Sequence, residues 1–277
     1  MATTGNPEPA VDGGFSVAPA NAPRKRVLVT GAEGTIGTAV REFLADRFDL
    51  RALTRQPVSF ASHVADIADL DAILPAFAGI DAVVHLAASS SVSSPWDEIL
   101  PDNIVGTYNV FEAAARSGVS RVVYASSNHV IGMDEIDNAP DLYDLDDPRV
   151  FDEASEPRPD SLYGVSKLFG EALARYYVEQ RGLTAVCLRI GTVRADDDAR
   201  SQDVPEPLES LTPDQRRQRI RATWLSRRDC AELIAAAIDA PVRWAVVYGI
   251  SDNPRQFWSL DGARRLLGFR PRDSAPR

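Results

Sequence analysis

The stretch RVLVTGAEGTIGTAV, residues 26–40, limits more than any other what this chain can fold into. A short β-branched apolar run reads as a strand, and Gly31, Gly34 and Gly37 lead out of it into a helical pattern. Glycine permits a tight turn and a close backbone approach, and the free N–H groups of a helix N-terminus attract a pyrophosphate. Glycine spacing alone is weak evidence, but a strand before it and a helix after it mark a dinucleotide-binding turn. Gly31, Gly34, Thr35, Ile36 and Gly37 are therefore expected to hold the cofactor.

The same alternation continues along the chain. LRALT, DAVVHLA, RVVYASS, TAVCLRI and AVVYGI are further strand candidates. TAVREFLADRF, DLDAILPAF, NIVGTYNVFEAAARSG and LYGVSKLFGEALARYYVEQRG carry apolar residues at helical spacing, with Gly118 and Gly182 where C-terminal caps belong. Uninterrupted apolar strands between amphipathic helices predict an α/β fold: a Rossmann-like, doubly wound parallel sheet covered on both faces, with a small C-terminal substrate lobe. Ligands of such folds bind beyond the carboxyl ends of the strands. Residues 24–277 read as one domain, and residues 1–23, rich in Ala, Pro and Gly, as a disordered leader. Two stretches break the rhythm: the Asp- and Pro-rich 133–160, whose charge reads mostly as solvated surface, and 194–222, which starts acidic and ends RRQRIRATW. The substrate-site segments are expected at about 133–160 and 192–270.

A formal charge of -10 argues against nucleic-acid and anionic-membrane partners, since both reward a basic surface. An anionic ligand would need a local cluster of cations. Cys187 and Cys230 lie far apart in apolar contexts, which reads as buried thiols in a reducing compartment, with no metal site. Without an apolar run of spanning length or a signal-peptide pattern, the expected location is the cytoplasm.

The second strand ends with Thr54 and Arg55, where an acidic residue would bind the ribose of NAD. Arginine suits a 2'-phosphate, so the chain leans toward NADP over NAD. Asp66 follows near the third strand as a candidate adenine contact.

Only two of the thirty basic residues are lysines, and Lys167 lies four positions after Tyr163. With seven tyrosines in 277 residues, chance would give only ~0.05 such pairs. On a helix these positions share a face, so the Lys167 ammonium would favour the charged form of a phenol whose ordinary pKa is about 10. Tyr163 is thus the candidate acid/base. YASSNHVIG delivers Ser126, Ser127, Asn128 and His129 to the carboxyl end of a strand. Ser127 is the candidate donor to a substrate oxygen, and its polar neighbours suit a hydroxyl-rich substrate.

TGAEGTIG, HLAA, YASSNHVIG and YGVSK, in this order, resemble the extended short-chain dehydrogenase/reductase superfamily over residues 26 to about 270. SSNHVIG, PDSLYGVSK, RIGT, TWLSRRDC and YGISDN look like the uronate dehydrogenases and the short-chain-type glucose-6-phosphate dehydrogenases of halophilic archaea. The resemblance implies a catalytic triad of Ser127, Tyr163 and Lys167, and a sugar site lined by Ser90, Ser127, Asn128, His129 and Thr192. It puts Arg219, crowded by Arg216, Arg217 and Arg221, at the arginine that grips a uronate carboxylate. Asn103 falls at the helix-bending asparagine. Ile67, Leu86, Ala87, Ala88 and Asn103 join Thr54, Arg55, Asp66, Tyr163 and Lys167 along the cofactor.

The activity implied is NAD(P)-dependent oxidation of C1 of an anionic aldose, a hexuronate or glucose 6-phosphate, to the lactone, with Tyr163 as base. Two alternatives stand beside it: a nucleotide-sugar epimerase or dehydratase, which generally needs a larger C-terminal lobe than the one expected here, and a non-catalytic NADP-binding redox sensor. Relatives pair helices corresponding to 96–116 and 161–181 across a two-fold axis, so a homodimer or higher homo-oligomer is expected.

Overall fold

A computed structural model describes residues 23–202 and 208–276. The expected leader lies almost wholly outside these residues. The seven strands are β1 (Arg26–Thr30), β2 (Asp49–Thr54), β3 (His63–Val64), β4 (Ala82–His85), β5 (Arg121–Ser127), β6 (Thr184–Ile190) and β7 (Trp244–Gly249). They form one all-parallel sheet in the order β3-β2-β1-β4-β5-β6-β7. The order reverses direction between β1 and β4, the place where doubly wound sheets open a crevice for ligands.

The helices are α1 (Thr35–Leu44), α2 (Leu70–Ile73), α3 (Trp96–Ile99), α4 (Gly106–Arg116), α5 (Gly132–Asn138), α6 (Leu162–Gln180), α7 (Pro213–Thr223) and α8 (Arg227–Asp239). Alternation along β1 sends Val27 and Val29 into a core shared with α1 and α8, and Leu28 into a second core with Phe111 of α4 and Tyr177 of α6. Every residue of β5 is buried, as a strand covered on both faces requires. Gly118 and Gly182 take left-handed φ of 71° and 76°, as the cap reading anticipates. Helix α8 lies outside the expected set, although Ser226 caps it by accepting from the Asp229 N–H.

Two glycines decide how closely α6 approaches the sheet. A Cβ at Gly170 would meet the Tyr124 ring of β5 at 2.2 Å, and one at Gly164 would meet the His129 carbonyl oxygen at 2.4 Å. The helix can thus carry Tyr163 and Lys167 right up to the end of β5.

The described parts of the irregular stretches are tied down. Arg158 bridges Asp134 and Asp137 at 2.6 and 2.7 Å, Asp147 pairs with Arg149, and Phe151 bridges to Trp258. Asp137, Asp141, Asp144, Asp146, Asp152 and Glu156 are exposed, in line with the reading of 133–160 as mostly solvated charge, and the exception is Glu135, which is only 3% exposed. RRQRIRATW forms most of α7, opened by a capping box in which Thr212 accepts from the Gln215 N–H and Gln215 reaches back. Among the described residues, no helix is long and apolar enough to cross a membrane.

Candidate active site

A cleft of about 760 Å³ runs along the carboxyl ends of the strands. One part is the glycine turn. Gly31 has φ of 65°, and a Cβ there would lie 2.8 Å from the Ala87 nitrogen. A Cβ at Gly37 would strike the Gly31 carbonyl oxygen at 2.4 Å. Gly34, the N-cap of α1, has only the Gly31 oxygen within 4 Å of such a Cβ, so the turn is open on its cleft side. No acidic residue occupies the first turn of α1, leaving the amides around Thr35 and Ile36 to an anion. These backbone features fit the diphosphate of a dinucleotide.

Thr54, Arg55, Asp66 and Ile67 line the same cleft, as do Leu86, Ala87 and Ala88. The Thr54 hydroxyl donates to the Gln56 carbonyl, and Asp66 accepts from the Ala68 N–H. Arg55 donates through one nitrogen to both oxygens of Asp102, at 3.1 Å each, which compensates the charge expected to select a 2'-phosphate. Asn103, expected along the cofactor, is not among the residues that line the cleft. It is 1% exposed, accepts from the Ser89 N–H, and donates to the Ser89 carbonyl and the Ser166 hydroxyl. Its side chain is spent on pinning the 88–90 loop to α6. It sits in the π-helical stretch Leu100–Val105 between α3 and α4, consistent with a helix-bending position.

The reacting end is built from β5 and α6. Ser127 ends β5 and accepts from the His129 N–H at 3.2 Å. Tyr163 shares the cleft wall, and burial pushes its phenol up to about 12 while a hydrogen bond to Ser127 pulls the other way. Lys167 is 4% exposed; burial pushes its amine down to about 7, and it donates to the Ala125 carbonyl at 2.8 Å. Its nitrogen stands 5.5 Å from the Tyr163 ring centroid. The helical spacing brings the pair together as expected, but burial disfavours both charged forms and outweighs the help that the amine was expected to lend the phenol. His85, behind Lys167, is driven down to about 3 by burial and by the Lys167 charge, and is clamped between Thr30 and Thr107.

Asn128 accepts weakly from Ser127, and its buried amide nitrogen has no partner among the described residues. An orphaned donor on the cleft wall suits a ligand rich in hydroxyl oxygens. His129 lies edge-on to Tyr163 with ring centroids 5.8 Å apart, and its Nδ1 is 2.6 Å from Asp160. Burial of Asp160 opposes its charge, yet hydrogen bonds from His129 and Ser161 hold its carboxyl below the ordinary range. Ser90 and Thr192 also line the cleft, with the Thr192 hydroxyl 2.8 Å from that of Thr223.

Arg219 reaches the cleft from α7, but its Nε and Nη2 donate to Glu135 at 2.7 and 3.2 Å, and the Tyr143 hydroxyl donates to the same carboxylate. Arg217 pairs with Asp214, and Arg216 donates to the Leu211 carbonyl. Beneath the site, Ser126 donates to Glu171, which receives a two-pronged bond from Arg189, fixing the end of β5 from below. Asp160, Glu135 and Glu171 escaped the sequence reading. Asp160 alone had a local signal, standing just before the Ser161 cap of the Tyr163 helix in PDSLYG.

Comparison with known proteins agrees with this architecture. The model of the NAD dependent epimerase/dehydratase family matches residues 27–243. The NAD-dependent glucose-6-phosphate dehydrogenase of Haloferax volcanii is 38% identical over 260 residues, covering 90% of this chain and 94% of that protein. The L-arabinose 1-dehydrogenase (NAD(P)(+)) of the same organism is 40% identical over 255 residues, covering 90% and 97%. A mutant uronate dehydrogenase from Agrobacterium tumefaciens, solved in complex with NAD, superposes with a TM-score of 0.74 at 35% identity, covering 91% of this chain and 86% of that one. With its glycine turn, parallel sheet and Tyr163–Lys167 helix in place, the chain belongs to the NAD dependent epimerase/dehydratase family.

Proposed function

We propose that this NAD(P)-dependent sugar dehydrogenase oxidises C1 of a cyclic aldose to the lactone, with Tyr163 as general base. The observation that carries the reading is the meeting of Tyr163, Ser127 and the unpartnered Asn128 amide in the cleft that holds the glycine turn. When bound, the nicotinamide supplies the acceptor for the hydrogen of C1 and its electron pair. Ser127 holds the C1 oxygen and Tyr163 as phenolate accepts its proton, so the C1–H and O–H bonds break as the carbonyl forms. Lys167, when protonated, works through space against the burial that raises the phenol, and Asn128 and His129 orient the ring hydroxyls. Gly31, Gly34 and Gly37 would carry the diphosphate, and Arg55 and Asp66 would flank the adenosine.

Full-length similarity to sugar dehydrogenases weighs against a nucleotide-sugar dehydratase: the dTDP-glucose 4,6-dehydratase of Mycobacterium tuberculosis matches only 58% of this chain and 51% of its own length. A sensor without turnover has no need of the Ser127–Tyr163 arrangement. Cofactor reduction followed with aldoses, uronates and glucose 6-phosphate under both nicotinamides tests the reading. Tyr163→Phe is expected to lower kcat by about 10²–10⁴-fold. A variant as fast as the parent would remove Tyr163 from the chemistry.

A homodimer through α3–α4 and α6 is part of the same proposal. Trp96, Leu100, Val105 and Tyr108 on the first run, and Leu162, Val165 and Tyr176 on α6, are large apolar side chains left exposed. A monomer in sedimentation at micromolar concentration would remove it.

A further inference from the structure

The relatives act on charged and uncharged sugars alike by name, so the charge at the far end of the substrate is decided by each chain's own residues. Among the described residues, three Lys or Arg side chains line the cleft: Arg55, Lys167 and Arg219. Arg55 faces Asp102, and Lys167 is bound to the Ala125 carbonyl beside the phenol. That leaves Arg219 as the cation beside Asn128, His129 and Thr192.

Arg219 is not free to grip an anion. It is 2% exposed and Glu135 is 3% exposed, and two of its three nitrogens are committed to both oxygens of that carboxylate. Tyr143 donates to Oε1 of Glu135 at 3.0 Å, closing the carboxylate's side of the pair. Asp160, held ionised by its bond to His129, adds a negative charge that Arg219 also feels. An incoming carboxylate or phosphate would have to displace a preformed partner or lie beside it as a like charge, and like-charge juxtaposition at a desolvated site is costly.

We propose that Glu135 neutralises the Arg219 clamp and makes the sugar site selective for an uncharged aldose over uronates and sugar phosphates. The proposal rests on the C1-dehydrogenase reading and names the substrate class of that same site. Arg219, held rigid by Glu135, then serves as a hydrogen-bond donor to a hydroxyl through its remaining Nη1, and Glu135 is a positioning residue that fixes specificity without touching the reacting atoms.

Two matched sugar series test it, because each varies only the group carried by ring carbon 5: L-arabinose, D-galactose and D-galacturonate; and D-xylose, D-glucose, D-glucuronate and glucose 6-phosphate. In the series the enzyme accepts, the uncharged members are expected to exceed the charged ones at least tenfold in kcat/KM. Glu135→Gln keeps the shape and removes the charge, and is expected to shift the uronate-to-aldose ratio at least tenfold toward the uronate, chiefly through KM. Equal or better use of a uronate or sugar phosphate by the parent protein overturns the proposal. So does a folded Glu135→Gln whose ratio is unchanged, with folding checked by circular dichroism. Should that variant fail to fold, the parent protein's series decides alone. Absence of turnover on every sugar would instead overturn the dehydrogenase reading, and this inference with it.

Discussion

Two arginine–carboxylate pairs stand in one cleft and differ chiefly in their access to water. In the Arg55–Asp102 pair the arginine side chain is 58% exposed, whereas in Arg219–Glu135 it is 2% exposed. An exposed pair contributes ~0–1 kcal/mol and is screened by salt, so a ligand phosphate can exchange with Asp102 at little cost. Breaking a buried pair by removing one partner costs about 3–5 kcal/mol, because an uncompensated charge stays behind. The contrast teaches that Arg55 is placed to exchange its partner for a ligand anion, whereas Arg219 is locked to Glu135.

The largest expected effect breaks the buried member. Glu135→Ala strands Arg219 and should destabilise the fold by about 3–5 kcal/mol, lowering the thermal midpoint by roughly 10 °C. Asp102→Ala should cost under about 1 kcal/mol in the same thermal scan. Equal losses for the two variants would end the comparison. The smaller effect sharpens it: Asp102→Asn frees Arg55, and the NADP-to-NAD ratio of kcat/KM should rise about three- to tenfold, a change of about 1 kcal/mol typical of one charge-assisted bond. That gain should fade as ionic strength rises, and a ratio that ignores both substitution and salt would show that Arg55 has no part in cofactor choice.

Much of the site was legible along the chain because its logic is local. The turn from Gly31 to Gly37 follows one strand and opens one helix, and Tyr163 and Lys167 are one helical turn apart; neither relation needs a third element. Ser127 could be placed because a strand's carboxyl end is a fixed address in a doubly wound sheet. Nothing local reveals that the Asn103 side chain is bonded to Ser89 and Ser166. Glu135 looked like one more acid in an acidic insertion.

The amino-acid order by itself determined the parallel sheet, the glycine turn from β1 into α1 and the helical pairing of Tyr163 with Lys167, because apolar periodicity and short-range spacing act before the chain is folded. The packed fold alone decided which charges survive in the cleft. Arg219 meets Glu135 across 84 positions and Arg55 meets Asp102 across 47, and both the phenol of Tyr163 and the amine of Lys167 are tuned by burial. The physical reason is that a charge's energy depends on how much water is removed around it, and that quantity exists only once the elements have closed over one another.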